Sequence, residues 1–235
     1  MKIPILMYHS IGVSSSELSI SLENFDKQMG YLKKKNYNTI SFDKINSIKS
    51  KNKYFIITFD DGYENVYYNA LPILQKYNFV ATCFFVTEYT GTYNVWDEKK
   101  KNFIKQKLMN IDQIKDWVNS GMLAGSHTLT HPNLKNISYE EKIKEISESF
   151  SYLNKLLSIN IDCFSYPFGS YDIESVEMVK KFYKFAVTTN RSRYTKNKFS
   201  NNLIPRVPIN KNDNLFKFFL KTQTLYEDIK FKHNN

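Results

Sequence analysis

Strand-like and helical patterns alternate along this chain from end to end, and that alternation leaves few folds open. Apolar runs of strand length lie near Ile3–Tyr8, Asn38–Ser41, Tyr54–Phe59, Val80–Val86, Met122–Gly125, Asp162–Tyr166, Phe185–Thr188 and Leu203–Val207. Helical spacing fills the gaps. Ser21 is placed to cap a helix that contains Phe25, Met29, Tyr31 and Leu32 and stops before Asn36. Ser138 and Glu141 form a capping box for a helix running through Ile143, Ile146, Phe150, Leu153 and Leu157. Similar patterns cover 64–77, 111–119, 172–183 and 213–221. Helices between parallel strands belong outside the sheet. Seven or eight such units predict an α/β fold, a distorted (β/α) barrel of the TIM type. The 235 residues fit one domain, 1–235, and 42% of them are hydrophobic, enough for its core.

Parallel barrels carry their chemistry at the carboxyl ends of the strands. Two motifs fall there. Thr58-Phe59-Asp60-Asp61-Gly62 puts adjacent carboxylates at the end of the apolar run Tyr54-Phe55-Ile56-Ile57. His127-Thr128-Leu129-Thr130-His131 uses two of the chain's four histidines, four residues apart. Turn chemistry would account for the aspartates alone, and structural histidines for the second motif alone. Together they supply more. One carboxylate and two imidazoles make a facial ligand set with open positions, and the spare carboxylate is free to take a proton from water. These residues are the skeleton of a metal-dependent hydrolase. His9 also ends a strand-like run, and Pro167-Phe168-Gly169 follows another.

The pair TFDDG and SHTLTH resembles the first two motifs of the polysaccharide deacetylases, the NodB-homology group of carbohydrate esterase family 4. Ser165-Tyr166-Pro167-Phe168-Gly169 is similar to the third motif, Arg-x-Pro-x-Gly, with serine in place of arginine. Pro4-Ile5-Leu6-Met7-Tyr8-His9 resembles the start of a subgroup whose barrel is circularly permuted. The resemblance runs from residue 3 to about residue 210 and implies removal of N-acetyl groups from an amino sugar in a polysaccharide, oligosaccharide or lipid-linked glycan. It implies that Asp61, His127 and His131 hold a divalent metal, first of all zinc, with Asp60 as general base. It also implies that the Phe168 backbone N–H faces the oxyanion and that His9 protonates the leaving amine. The unpermuted family takes that proton from a C-terminal Leu-x-His motif, which is absent here; His233 sits in a lysine-rich end. A structural histidine is the alternative for His9. The missing third-motif arginine leaves the catalytic aspartate without its charge partner. Arg206, at the end of the last strand-like run, is a candidate to supply it, or else a surface ion-pair residue.

Other features narrow the setting. The net charge of +10 rests on lysine, with only Arg191, Arg193 and Arg206 as arginine. Base readout and phosphate clamps favour arginine, so nucleic acid is not the expected partner. An anionic glycan or a peripheral contact with an anionic membrane surface fits better. Cys83 and Cys163 are expected as buried free thiols. The short apolar run before Tyr8-His9 suits neither a signal peptide nor a membrane span, and the chain as given reads as cytoplasmic. Residues 87–110 form the longest unpatterned connection, either a substrate lid or a mobile insertion. Aromatics reach 16%, some of them expected to stack on sugar rings. Two other functions remain open: hydrolysis of another small amide or ester on the same fold, and a non-catalytic glycan-binding barrel.

Overall fold

The computed structural model describes residues 2–12, 16–48 and 52–231. Seven parallel strands close into a ring: β1 (Ile5–Tyr8), β2 (Lys53–Phe59), β3 (Ala81–Phe85), β4 (Leu123–Ser126), β5 (Cys163–Ser165), β6 (Phe185–Arg191) and β7 (Ile204–Pro208). Their order around the ring is their order along the chain. Closure falls at β1, where Leu6 lies beside Val207 of β7 and Ile5 beside Ile56 of β2. The run expected near Asn38–Ser41 does form a strand, Tyr37–Thr39, but it pairs only with the foot of β2, Tyr37 opposite Lys53. None of its residues is buried. A ring strand is covered on both faces, and Tyr-Asn-Thr, with no buried residue and one neighbour, is not. The ring is therefore seven-stranded.

Strand alternation sorts the apolar residues into two layers. Ile5, Ile56, Phe84, Val187 and Ile204 point inward and pack in one cluster with Phe42 and Ile45, which plug the floor. Leu6, Ile57, Phe59, Phe85, Phe164 and Val207 point outward under the helices. Gly125 of β4 yields its inner volume to Phe84, whose ring would lie 2.4 Å from any Cβ there. The same period carried two residues further aims Thr58, Asp60 and Arg206 into the upper half of the barrel.

The helices start where the sequence provides caps. α1 (Leu22–Lys34) is capped by Ser21, which accepts from Asn24 N–H. α2 (Leu71–Tyr77) is preceded by a π turn, Val66–Ala70, and α3 (Ile111–Asn119) has an Asn110–Gln113 capping box. α4 (Tyr139–Leu157) opens on the Ser138–Glu141 box, and α5 (Ile173–Phe182) on Asp172–Ser175. Each such cap contributes about 1 kcal/mol. α6 (Leu215–Gln223) and a short α7 (Tyr226–Lys230) follow β7, the second of which no sequence pattern announced. No helix separates β6 from β7. Instead, Tyr194–Thr195 pairs antiparallel with Lys2–Ile3 beneath the barrel. Both cysteines are free, Cys83 buried and Cys163 partly exposed rather than fully buried. Among the described residues no helix is long and apolar enough to cross a membrane.

Candidate active site

β2 delivers both carboxylates, and the backbone sends them different ways. Asp60 N–H donates to Tyr8 O at 3.0 Å, extending the ladder one residue past the strand. Asp61 and Gly62 then turn into the left-handed region, φ 74° and 73°. At Gly62 a Cβ would meet the Phe85 ring at 2.7 Å, so only glycine fits. Asp60 consequently points down into the barrel, and Asp61 across it toward the end of β4.

Asp60 is gripped by Arg206. The guanidinium donates through Nη1 to Oδ1 and through Nη2 to Oδ2, each at 2.7 Å. Its other N–H groups reach Thr188 O (3.0 Å), Thr58 Oγ1 (3.1 Å) and Ser165 Oγ (3.1 Å), so all five have acceptors. Arg206 is 0% exposed and Asp60 3%. Arg206 is thus inside the barrel and not a surface ion-pair residue. Ser165, in the third motif, stands within 3.4 Å of the carboxylate that the missing arginine would have met. Burial pushes the Asp60 carboxyl up, but Arg206 outweighs it and, with His127 and His9, holds it below the usual carboxylate range. His9, at the end of β1, places Nε2 4.0 Å from Asp60 Oδ2.

Asp61 faces the imidazoles. Its Oδ1 is 3.4 Å from His127 Nε2 and 3.5 Å from His131 Nε2, and one ligand atom from each of the three residues lies within 4.8 Å of the others. Tetrahedral ligands about 2.0–2.1 Å from a zinc ion sit about 3.3–3.4 Å apart, so the spacing fits a metal. His127 Nδ1 is 2.7 Å from Ser165 O. A donor Nδ1–H there leaves the Nε2 lone pair facing Asp61. Burial and the nearby His127 pull the His131 imidazole down to about 3, which keeps it a neutral donor. Burial pushes the His127 imidazole down, but the Asp61 hydrogen bond and the Asp60 charge reverse this and raise it. For Asp61, burial is opposed by His127, His9 and His131, and the carboxyl lies well below its usual range. A carboxylate and two imidazoles crowded this closely, with a tautomer fixed by a carbonyl, suit a divalent cation.

The third motif closes the other wall. Pro167–Gly169 is a single tight turn, with Phe168 in the left-handed region at φ 58°. Its hydrogen bonds run from Gly169 N–H to Tyr166 O and from Ser170 N–H to Pro167 O, leaving the Phe168 N–H outside the turn's own bonding. The half-exposed Phe168 ring meets His131 edge-on, with centroids 4.6 Å apart. Trp96, from the long connection 87–110, stacks on His131 with centroids 4.7 Å apart. These groups, with Leu18, Asp97 and Lys100, enclose a cavity of about 110 Å³. The connection is an ordered wall of the site, tied down by Met109 N–H to Gly62 O and Glu64 N–H to Lys107 O. No spacing in the sequence pointed to Trp96, Asp97 or Lys100. His233 lies outside the described residues.

A closed parallel barrel with a buried Asp–Arg pair beside an Asp-His-His cluster at its mouth places the chain among the barrel hydrolases. Its matches agree. The profile of the family described as polysaccharide deacetylase matches residues 47–184, and the chain belongs to that family, a class of hydrolases of carbon–nitrogen bonds. The Staphylococcus aureus (strain MSSA476) poly-β-1,6-N-acetyl-D-glucosamine N-deacetylase is 28% identical over 88% of this chain and 74% of its own length. The Bacillus subtilis (strain 168) protein YxkH is 29% identical over 80% of this chain, which spans 64% of that relative's length. Among solved structures, Streptococcus pyogenes deacetylase PplD in complex with acetate superposes with a TM-score of 0.82 at 28% identity, covering 95% of this chain and 99% of its own. BC0361, a polysaccharide deacetylase from Bacillus cereus, gives 0.79 at 30% identity over 93% of this chain and 68% of its own.

Proposed function

We propose that this chain is a metal-dependent N-deacetylase of an amino sugar within a glycan. The observation that carries the reading is the division of labour between two adjacent carboxylates: Asp61 facing two imidazoles, Asp60 locked to an arginine. Asp61, His127 and His131 are the residues that would hold the ion. Two nitrogens and one oxygen suit zinc, and cobalt, nickel or iron(II) can occupy the same set. When bound, such an ion polarises the acetyl carbonyl and brings the pKa of water toward about 7.

The protein's own groups do the rest. Asp60, kept ionised by Arg206, takes a proton from the attacking water. The Phe168 N–H donates to the oxyanion as it forms, a contribution that a fixed dipole makes without reorganisation. His9 protonates the leaving amine as the carbon–nitrogen bond breaks, releasing acetate and the free amino sugar. A cavity of about 110 Å³ suits an acetyl group rather than a long acyl chain. Trp96 and Phe168 flank the entrance as surfaces for a pyranose ring. Residues 1–235 act as one barrel domain, and their lysine-borne charge favours an anionic glycan or membrane surface as the setting.

A Staphylococcus aureus relative is named for poly-β-1,6-N-acetyl-D-glucosamine, which makes oligomers of that polymer the first substrates to try. Acetate release from them, lost on chelation and restored by Zn²⁺, is the expected result. Release from simple amides or esters but from no N-acetylated glycan would replace the reading with a small-molecule deacylase. No hydrolysis of either class would leave a glycan-binding barrel.

A further inference from the structure

Both imidazoles lie on one five-residue loop that is poorly suited to hold its own shape. Thr128 and His131 are in the left-handed region at φ 69° and 64°. Each such residue costs on the order of 1–3 kcal/mol, and a β-branched threonine is an unusual occupant. The loop is therefore pinned from both sides. Its carbonyls are taken by the chain following β3: Thr87 N–H donates to Thr128 O and Glu88 N–H to Leu129 O. Two of its amides, those of Leu129 and Thr130, are taken by a single side chain of α4. Glu145 Oε2 accepts from Leu129 N–H at 2.9 Å and Thr130 N–H at 2.8 Å, and Oε1 accepts from the Thr130 hydroxyl at 2.6 Å.

Glu145 is buried, and among the described residues no lysine, arginine or histidine pairs with it. A buried carboxylate without a counter-cation is costly unless neighbouring donors compensate it. Here the donors are two successive amides, a small anion-binding nest, and both belong to the segment between the histidines. One turn further along α4, Ser149 Oγ lies 2.8 Å from Ser126 Oγ, which in turn accepts from Thr128 N–H. The helix thus holds the loop at two points. Lys142, Glu145 and Ser149 form a polar stripe on the buried face of α4, where apolar residues would otherwise be expected.

We propose that Glu145 is a positioning residue for the metal site: by clasping Leu129 and Thr130 it sets the separation and orientation of the His127 and His131 imidazoles. This rests on reading Asp61, His127 and His131 as metal ligands. The proposal makes a graded prediction. Glu145→Ala leaves two buried amides and a hydroxyl without their acceptor. Glu145→Gln keeps one oxygen for the amides and presents an N–H₂ to the Thr130 oxygen, which is able to accept.

The test is Co²⁺ titration of the metal-stripped full chain, following affinity by chelator competition and geometry by the visible d–d band. His131→Ala serves as the control for the ligand reading. Glu145→Ala is expected to weaken Co²⁺ binding by roughly 10–100-fold, as loss of a supporting group does at other sites, and to shift the band. Glu145→Gln should recover most of both. Affinity within about twofold of the unsubstituted protein and an unchanged band in Glu145→Ala would overturn the proposal, even if the variant melted earlier, because the loop would then hold its shape unaided. If Glu145→Ala does not fold, Glu145→Gln and Glu145→Asp decide instead: Asp, one methylene short, must bind more weakly than Gln, and equal binding overturns the idea. Unaltered Co²⁺ uptake by His131→Ala would strike at the ligand assignment itself, a failure distinct from that of Glu145.

Discussion

The two ends of the barrel are built from the same seven strands and obey different rules. The floor, with Ile5, Phe42, Ile45, Ile56, Phe84 and Phe185, is apolar and buried. The mouth holds Asp60, Asp61, His127, His131 and Arg206, all buried as well. Backbone conformation separates them further. Glycines aside, the left-handed residues elsewhere among those described are Asn36, Asn78, Ser158 and Asn197, of which Asn78 and Ser158 cap helices. Asparagine tolerates that conformation well. At the mouth the non-glycine ones are Asp61, Thr128, His131 and Phe168, types chosen for their side chains despite the backbone cost. Burial and packing stabilise the floor; at the mouth, stability is given up for the placement of charge.

Substitutions at the two ends should therefore fail in opposite ways. The largest effect is expected from Asp60→Asn, which keeps the shape but cannot accept a proton. Acetate release should fall about 10²–10⁴-fold with metal content unchanged by elemental analysis. Near-normal turnover, or loss of metal, would exchange the roles of Asp60 and Asp61. Phe42→Ala is its counterpart at the floor. Removing that ring should cost about 3–5 kcal/mol in denaturant unfolding while kcat of the folded fraction is retained. A large loss of kcat there would mean the two ends are not independent.

Arg206→Lys probes the charge that joins them. The Asp60 carboxyl lies lower in the folded protein than its unfolded value of about 3.9. Its contribution to stability is thus complete above about pH 4 and lost as pH falls through the folded value. Lysine keeps a charge but loses the two-pronged grip, so the folded value rises. Acid unfolding and the acid limb of kcat should both move upward, by up to roughly 1 pH unit. Superimposable pH profiles would show that Arg206 does not govern Asp60. The smallest effect is expected from Phe168→Gly. Glycine relieves the left-handed backbone but loosens the unfolded chain, and the two terms offset to within about 1 kcal/mol. Melting should barely change while KM for a glycan rises, since the ring at the entrance is gone. A drop in stability without a change in KM would make Phe168 a packing residue.

What was legible in the sequence follows the same divide. Ring strands are covered on both faces, so their apolar runs stand out, and the period that buries Ile56 also points to Thr58 and Asp60. Capping residues such as Ser21 and Ser138 marked helix starts because the cap is a local interaction. The exclusion of Tyr37–Thr39 from the ring depends on how many strands close it, which no local pattern encodes. Trp96 reaches His131 only because residues 87–110 fold back over the mouth. Nothing local singles out Glu145 among the charged residues of its helix, because the amides it accepts from lie on a loop after another strand. The position of Arg206 could be suspected from a missing arginine at Ser165; its five hydrogen bonds come from residues on β2, β5 and β6 that only the closed ring brings together.

The insertion of β1 between β7 and β2 has a consequence for biosynthesis. His9 is made long before β7, so the strand it ends finds one of its two neighbours only when Val207 has been added. Arg206 arrives with β7, so Asp60 is without its cation until that strand is made. On the ribosome the growing chain is an unfinished cylinder with an open seam, whose Asp60–Arg206 pair cannot form ahead of the fold. Stalled chains released before residue 204 should lack the Asp60–Arg206 lock however well their earlier strands have paired, and long-range closure of this kind is slow. Resistance to protease, followed as the stall point moves past β7, would time the closing of that seam.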